Sequence, residues 1–150
     1  MNAPVPNPLL ELRKLGESVW LDDIGRGMLD DGSLARLIRE DGLAGLTSNP
    51  SILAHSIMHE ATYAQRIARL LPTVSSAMAL YEELALGDVR AAAGLFRGLY
   101  DSTAGGDGFV SFEVFGHLVG SVGDGDAFFR LTCERIADGI GVTPPTGGRR

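Results

Sequence analysis

Lysine is almost missing from this chain: Lys14 is the single one among 150 residues. Any chemistry that runs through an amine nucleophile therefore has one candidate side chain. Cysteine is equally scarce, with Cys133 alone, so no internal disulfide framework can exist. There is no run of basic residues, and 13 basic against 19 acidic side chains leave a net charge of −6, which gives a nucleic acid nothing to grip. No apolar run approaches the ~18 residues of a membrane span. The opening Met1-Asn2-Ala3-Pro4-Val5-Pro6 lacks the basic start and apolar core of a signal peptide. The expectation is a cytoplasmic protein whose partners are neither nucleic acid nor membrane.

What is present describes an ordinary globular chain. The hydrophobic fraction of 45% and charged fraction of 21% suit one domain with a real core. Twenty glycines without a repeat period point to many connecting turns. Residues 1–7 read as a disordered lead, 8–140 as the domain and 141–150 as a flexible Pro/Gly tail.

The organising stretch is Gly42-Leu43-Ala44-Gly45-Leu46-Thr47-Ser48-Asn49-Pro50-Ser51. A short apolar run leaves a glycine turn, ends in small polar residues and passes straight into a helical pattern. That is the order of a buried parallel strand followed by a helix, with polar groups at the strand tip. Pro50 suits a first helical turn, and Ser51 is expected to help cap it.

Before it, Pro8 to Leu15 has leucines at helical spacing and Gly16 as a stop. Ser18-Val19-Trp20-Leu21-Asp22 alternates as a strand, with Trp20 and Asp22 on one face. Asp30-Asp31-Gly32-Ser33 is a capping turn for a helix carrying Leu34, Leu37 and Ile38 on one side. After it, Pro50 to Leu71 reads as one long helix with a possible break near His55 to Met58. Val74 to Leu84 and Asp88 to Tyr100 read as two more, the second capped by Asp88. Phe109 to Phe115 is a third strand, with Val110, Phe112 and Val114 on one face and Ser111 and Glu113 on the other. A last helix spans Asp126 to Ile140, with Cys133 on its apolar stripe as a buried thiol.

Strands separated by crossover helices imply a parallel sheet with right-handed connections. Such a sheet brings Asp22, Thr47 with Asn49, and Glu113 to one end and one face. Two carboxylates, an amide and a hydroxyl converging there can bind a polyol and move protons. A carboxylate inside the apolar third strand is costly unless partnered. The plain alternative is that these groups only cap loops.

Three segments, Ser18 to Asp22, Gly45 to Ile52 and Gly108 to Val114, resemble the first three strands of bacterial transaldolase. The helical stretches Ile38 to Gly42, Tyr81 to Ala85 and Asp88 to Ala93 are similar to that family too, so the resemblance covers about residues 8–118. It implies an α/β fold of the (β/α) TIM-barrel kind, here truncated to about three parallel strands with crossover helices. It also implies the sugar-phosphate chemistry of the pentose phosphate pathway: transfer of a dihydroxyacetone unit through a lysine Schiff base, with no cofactor. By the same resemblance Asp22 handles protons on substrate hydroxyls, and Glu113 works with a catalytic water. Asn49 and Thr47 hold the dihydroxyacetone hydroxyls or that water. From placement alone, Ser48 stands with them at the tip, Trp20 fills the sheet's inner side or binds a ligand if that side is open, and His117 follows the third strand, in position to line the same pocket.

The family's lysine is expected on a fourth strand. Val142-Thr143-Pro144-Pro145-Thr146 stands at about that distance with valine in the lysine's place, and Lys14 belongs to the leading helix. Without the amine the imine chemistry fails, so a pseudoenzyme is one expectation. A second is a lysine-free acid/base enzyme of a specialised pathway acting at Asp22, Asn49 and Glu113, with Trp20, Phe109 and Phe115 suiting a more apolar ligand. A third is a non-catalytic subunit, since three strands cannot close a barrel and open edges invite a second copy or a full-length relative. A truncated gene product is the fourth.

Other residues have plain readings. His55 and His59 stand at i, i+4, a spacing compatible with a metal, but the sequence places no third ligand and a surface pair is the expectation. The Gly105-Gly106-Asp107-Gly108 loop precedes a strand, not a helix, so it is no phosphate cradle.

Overall fold

A computed structural model describes residues 6–112. The last helix, Cys133, Phe115, the tail, most of the lead, and two site candidates, Glu113 and His117, lie outside the described residues.

Helix α1 (Pro8–Lys14) starts as its sequence dictates. Asn7 caps it by accepting from Leu9 N, Pro8 supplies the first turn, and Gly16 reverses the chain at φ +90°. Strand β1 (Trp20–Leu21) follows. Between it and the next expected helix lies a short helix with no clear signal in the sequence, α2 (Arg26–Asp30), disguised by Gly25 and Gly27. Helix α3 (Ser33–Glu40) takes Gly32, at φ +77°, as its N-cap residue, while Asp31 Oδ1 accepts from Ser33 N at 2.8 Å.

Strand β2 (Gly45–Thr47) leads into α4 (Pro50–His59). Here the expected cap is corrected. Asn49, not Ser51, closes the helix end, its Oδ1 accepting from Ser51 N and Ile52 N. The expected long helix over 50–71 is also corrected: Glu60 is extended, a 3-10 turn spans Ala61–Tyr63, and α5 runs Ala64–Leu70.

A third correction concerns Asp88. The two helices expected after residue 74 are one, α6 (Ala77–Ser102), capped by Ser76. Asp88 sits in its middle at 0% exposure, its carboxylate occupied by tertiary partners instead of by backbone N–H groups. Strand β3 (Phe109–Ser111) closes the described part.

The strands are parallel in the order β1-β2-β3. Sequential order with a crossover each time is the winding of a (β/α) barrel wall, not of a doubly wound sheet. One face packs on the helices. Leu46 and Val110 are fully buried against Leu34 of α3 and against Val89, Ala92 and Phe96 of α6. Period-two alternation sets Val110 on the face opposite Ser111, and the helices cover that face. The fold is α/β and of the TIM-barrel-like kind, with three parallel strands among the described residues.

Candidate functional site

The register fixes which residues share a row. Trp20, Gly45 and Phe109 align across the sheet, then Leu21, Leu46 and Val110, then Thr47 with Ser111. Asp22 follows β1 directly, one residue past the paired register. The paired tips Thr47 and Ser111 therefore stand beyond the row of Trp20, Gly45 and Phe109.

That aromatic row explains a glycine. A Cβ at Gly45 would stand 2.5 Å from Trp20 Cε2, because the indole lies across β2. Trp20 stacks on Phe109 with ring centres 6.4 Å apart, and Phe109 meets the edge of Tyr100 at 5.5 Å. Trp20 remains 37% exposed, so the floor beneath the tips is apolar and open on one side.

At the tips, Asp22 is exposed and Thr47 partly buried. Ser48 has the opposite parity and is completely buried, its backbone N donating to Ser111 O at 2.9 Å. Asn49 caps α4 through Oδ1, which leaves its amide Nδ2 as a donor. Among the described residues that nitrogen makes no hydrogen bond. The segment ends after β1 and β2 thus carry a carboxylate, a hydroxyl and an amide, residue types that suit a polyol.

Behind Asp22 stands a second carboxylate that the sequence reading passed over. Asp23 is partly buried, and burial, then the charge of Glu60, push its carboxyl above the ordinary value of 3.8. Glu60 is held in place by accepting from Gly27 N at 3.2 Å. The folded chain holds the Asp23 proton more tightly than the unfolded chain does. Stability from this group is present at low pH and is lost as pH rises through the window above 3.8. Asp23→Asn is accordingly expected to raise the urea midpoint at neutral pH, a gain that fades as the buffer approaches about pH 4. A constant gain at every pH would contradict this.

The loop bearing these carboxylates is anchored by a network around Asp88. Tyr63 donates its hydroxyl to Asp88 Oδ2 at 2.7 Å and accepts from Arg26 N at 3.0 Å. Arg26 Nη1 reaches Asp88 Oδ1 at 3.3 Å, and Arg66 Nη1 binds the same oxygen. Burial, then the hydrogen bond to Asp88, push the Tyr63 phenol well up, so it stays a donor. The available signal was positional: Asp88 occupies the apolar stripe Leu84, Asp88, Ala92, Phe96 of one helix. An aspartate there needs buried partners.

His55 and His59 are both exposed, with rings stacked 4.2 Å apart and His59 Nδ1 2.8 Å from the His55 carbonyl. Among the described residues no three His, Cys, Asp or Glu side chains group as metal ligands. Nor is any described helix long and apolar enough to cross a membrane.

A parallel α/β wall with polar groups at the C-terminal strand tips belongs to the (β/α)-barrel class of protein. The family model for transaldolase/fructose-6-phosphate aldolase matches residues 19–125. A transaldolase of Thiobacillus denitrificans is 42% identical over 104 residues, covering 69% of this chain and 29% of the relative. A transaldolase of Trichodesmium erythraeum is 37% identical over 110 residues, covering 73% and 29%. Transaldolase 1 of Streptomyces coelicolor is 42% identical over 109 residues, covering 71% and 28%. The chain belongs to the transaldolase/fructose-6-phosphate aldolase family, and it spans under a third of the length of these curated relatives.

Proposed function

We propose that this chain carries the substrate-holding part of a transaldolase-type site and does not by itself form the Schiff base. Asp22 acts as the proton-handling carboxylate, Thr47 and Asn49 hold substrate hydroxyls, and Glu113 works with water. Ser48, Trp20 and His117 complete the surround, and a sugar phosphate is the substrate class. What supports the reading is the parallel register that aligns Trp20 with Gly45 and Thr47 with Ser111, with Asp22 following β1 directly.

Inactivity in transfer rests on the amine. Lys14 is the single lysine, and it ends α1 with Nζ paired to Glu11 Oε1 at 2.7 Å and a side chain 70% exposed. An imine-forming lysine needs a pocket that removes it from water and lowers its pKa. Lys14 has neither the burial nor the position.

Fructose 6-phosphate with borohydride, read by intact mass, tests this. The expected spectrum shows no adduct, and a covalent three-carbon addition on Lys14 would overturn the reading. The lysine-free alternative at the same residues predicts turnover of some other substrate that falls in Asp22→Asn and Glu113→Gln. Unchanged turnover in both variants would remove that alternative.

A further inference from the structure

Between α5 and α6 lies a cleft of about 330 Å³ lined by Arg66, Arg69, Leu70, Glu83, Gly87 and Arg90. None of the strand-tip residues borders it. We propose that it binds a hydroxylated organic phosphate, with Arg69 and Arg90 gripping the phosphate and Glu83 accepting from a hydroxyl.

Charge is the first argument. Three guanidinium groups and one carboxylate line the cleft, in a chain whose net charge is −6. Arg66 is already engaged: Asp88 binds Nη1, and Nη2 reaches the Leu84 carbonyl at 3.4 Å. Arg69 and Arg90 are exposed and have no ion pair among the described residues. Two unpaired cations brought to one concavity repel each other, and a shared anion converts that repulsion into attraction.

Shape is the second. Gly87 leaves α6 bare where the Arg66 guanidinium lies, since a Cβ there would overlap Nη2. Arg66 is thereby fixed as a wall of the cleft, while the two others line it without an ion pair among the described residues. Planar guanidinium forks match phosphate oxygens two at a time. The volume falls at the lower end of the range for small-molecule sites, roughly 300–1,000 Å³, which is more than a bare phosphate fills. A lone glutamate on the lining would repel a simple anion, yet it suits one that carries hydroxyl groups.

Calorimetry on the full chain at low salt, about 50 mM to limit screening, compares glycerol 3-phosphate with inorganic phosphate. The expected result is saturable binding of glycerol 3-phosphate, tighter than that of phosphate. In Arg69→Gln/Arg90→Gln it weakens about tenfold or more, the effect of losing charge-assisted hydrogen bonds. Both positions are exposed and have no ion pair among the described residues, so the double variant keeps the parent's melting temperature, read alongside. Asp22→Asn leaves the binding unchanged. No binding by the parent, equal binding of the two probes, or undiminished binding by the double variant would overturn the proposal. Loss of binding in Asp22→Asn would do the same and would place the ligand at the strand tips, so this inference and the proposed function fail separately.

Discussion

Replacing Asp88 by alanine is expected to cost about 3–5 kcal/mol of folding stability, the scale of removing one partner from a buried ion cluster. The carboxylate is fully buried and receives Tyr63, Arg26 and Arg66 at once. Its loss strands a phenol and leaves two guanidinium groups facing each other, with side chains only 26% and 18% exposed. A domain stable by roughly 5–15 kcal/mol would lose a large share of that. Asp88→Asn keeps one acceptor and should fall between parent and alanine variant. Tyr63→Phe removes the hydrogen bond to charged Asp88 and the acceptor of Arg26 N, and should cost about 2–4 kcal/mol. Urea denaturation measures all three. An Asp88→Ala cost below about 1 kcal/mol, the worth of an ordinary surface pair, would show that the network does not hold the loop after β1.

The second large effect is expected at Gly108, which opens β3. Its φ is +88°, where a side chain is strained, and a Cβ there would stand 2.5 Å from the Tyr100 backbone N and 2.8 Å from its Cα. Backbone atoms of α6 cannot swing aside as a side-chain tip can. Gly108 N also donates to Ala44 O at 2.7 Å, so a shift at 108 disturbs the start of the β2–β3 pairing. Gly108→Ala should therefore cost roughly 2–5 kcal/mol, left-handed strain and overpacking together. Gly94→Ala is the control of opposite sign. It is exposed on α6 with nothing within 4 Å of the added Cβ. It should gain about 0.5–1 kcal/mol from the backbone entropy a helix interior glycine forfeits. Thermal midpoints that moved alike in both variants would contradict the geometry.

Much of the site's frame was legible because a strand's side chains alternate with a period of two. That rule alone put Gly45 with Thr47 on one face of β2 and Ser111 opposite Val110 on β3, and the parallel register aligns Thr47 with Ser111 and Leu46 with Val110. It did not reveal why position 45 is glycine. The reason is an indole from the neighbouring strand, far off in the sequence but adjacent across the sheet. Local punctuation misled more than once. Gly87-Asp88 has the look of a stop followed by a cap, yet α6 runs straight through it. The glycine seats Arg66 and the aspartate neutralises it, and both reasons come from α5. Ser51 was the expected cap, but the residue before Pro50 holds the extended geometry that a cap requires, at φ −106° and ψ 116°.

By itself the sequence determined the strand-and-helix alternation, the inward and outward faces of the strands, the polar tips and the scarcity of amines, since each is a matter of residue type and spacing along the chain. Tertiary structure decided the continuity of α6, the cluster around Asp88, the raised Asp23 carboxyl and the arginine cleft. Those depend on which distant groups desolvate and pair with one another, and that is set only when the helices close over the sheet.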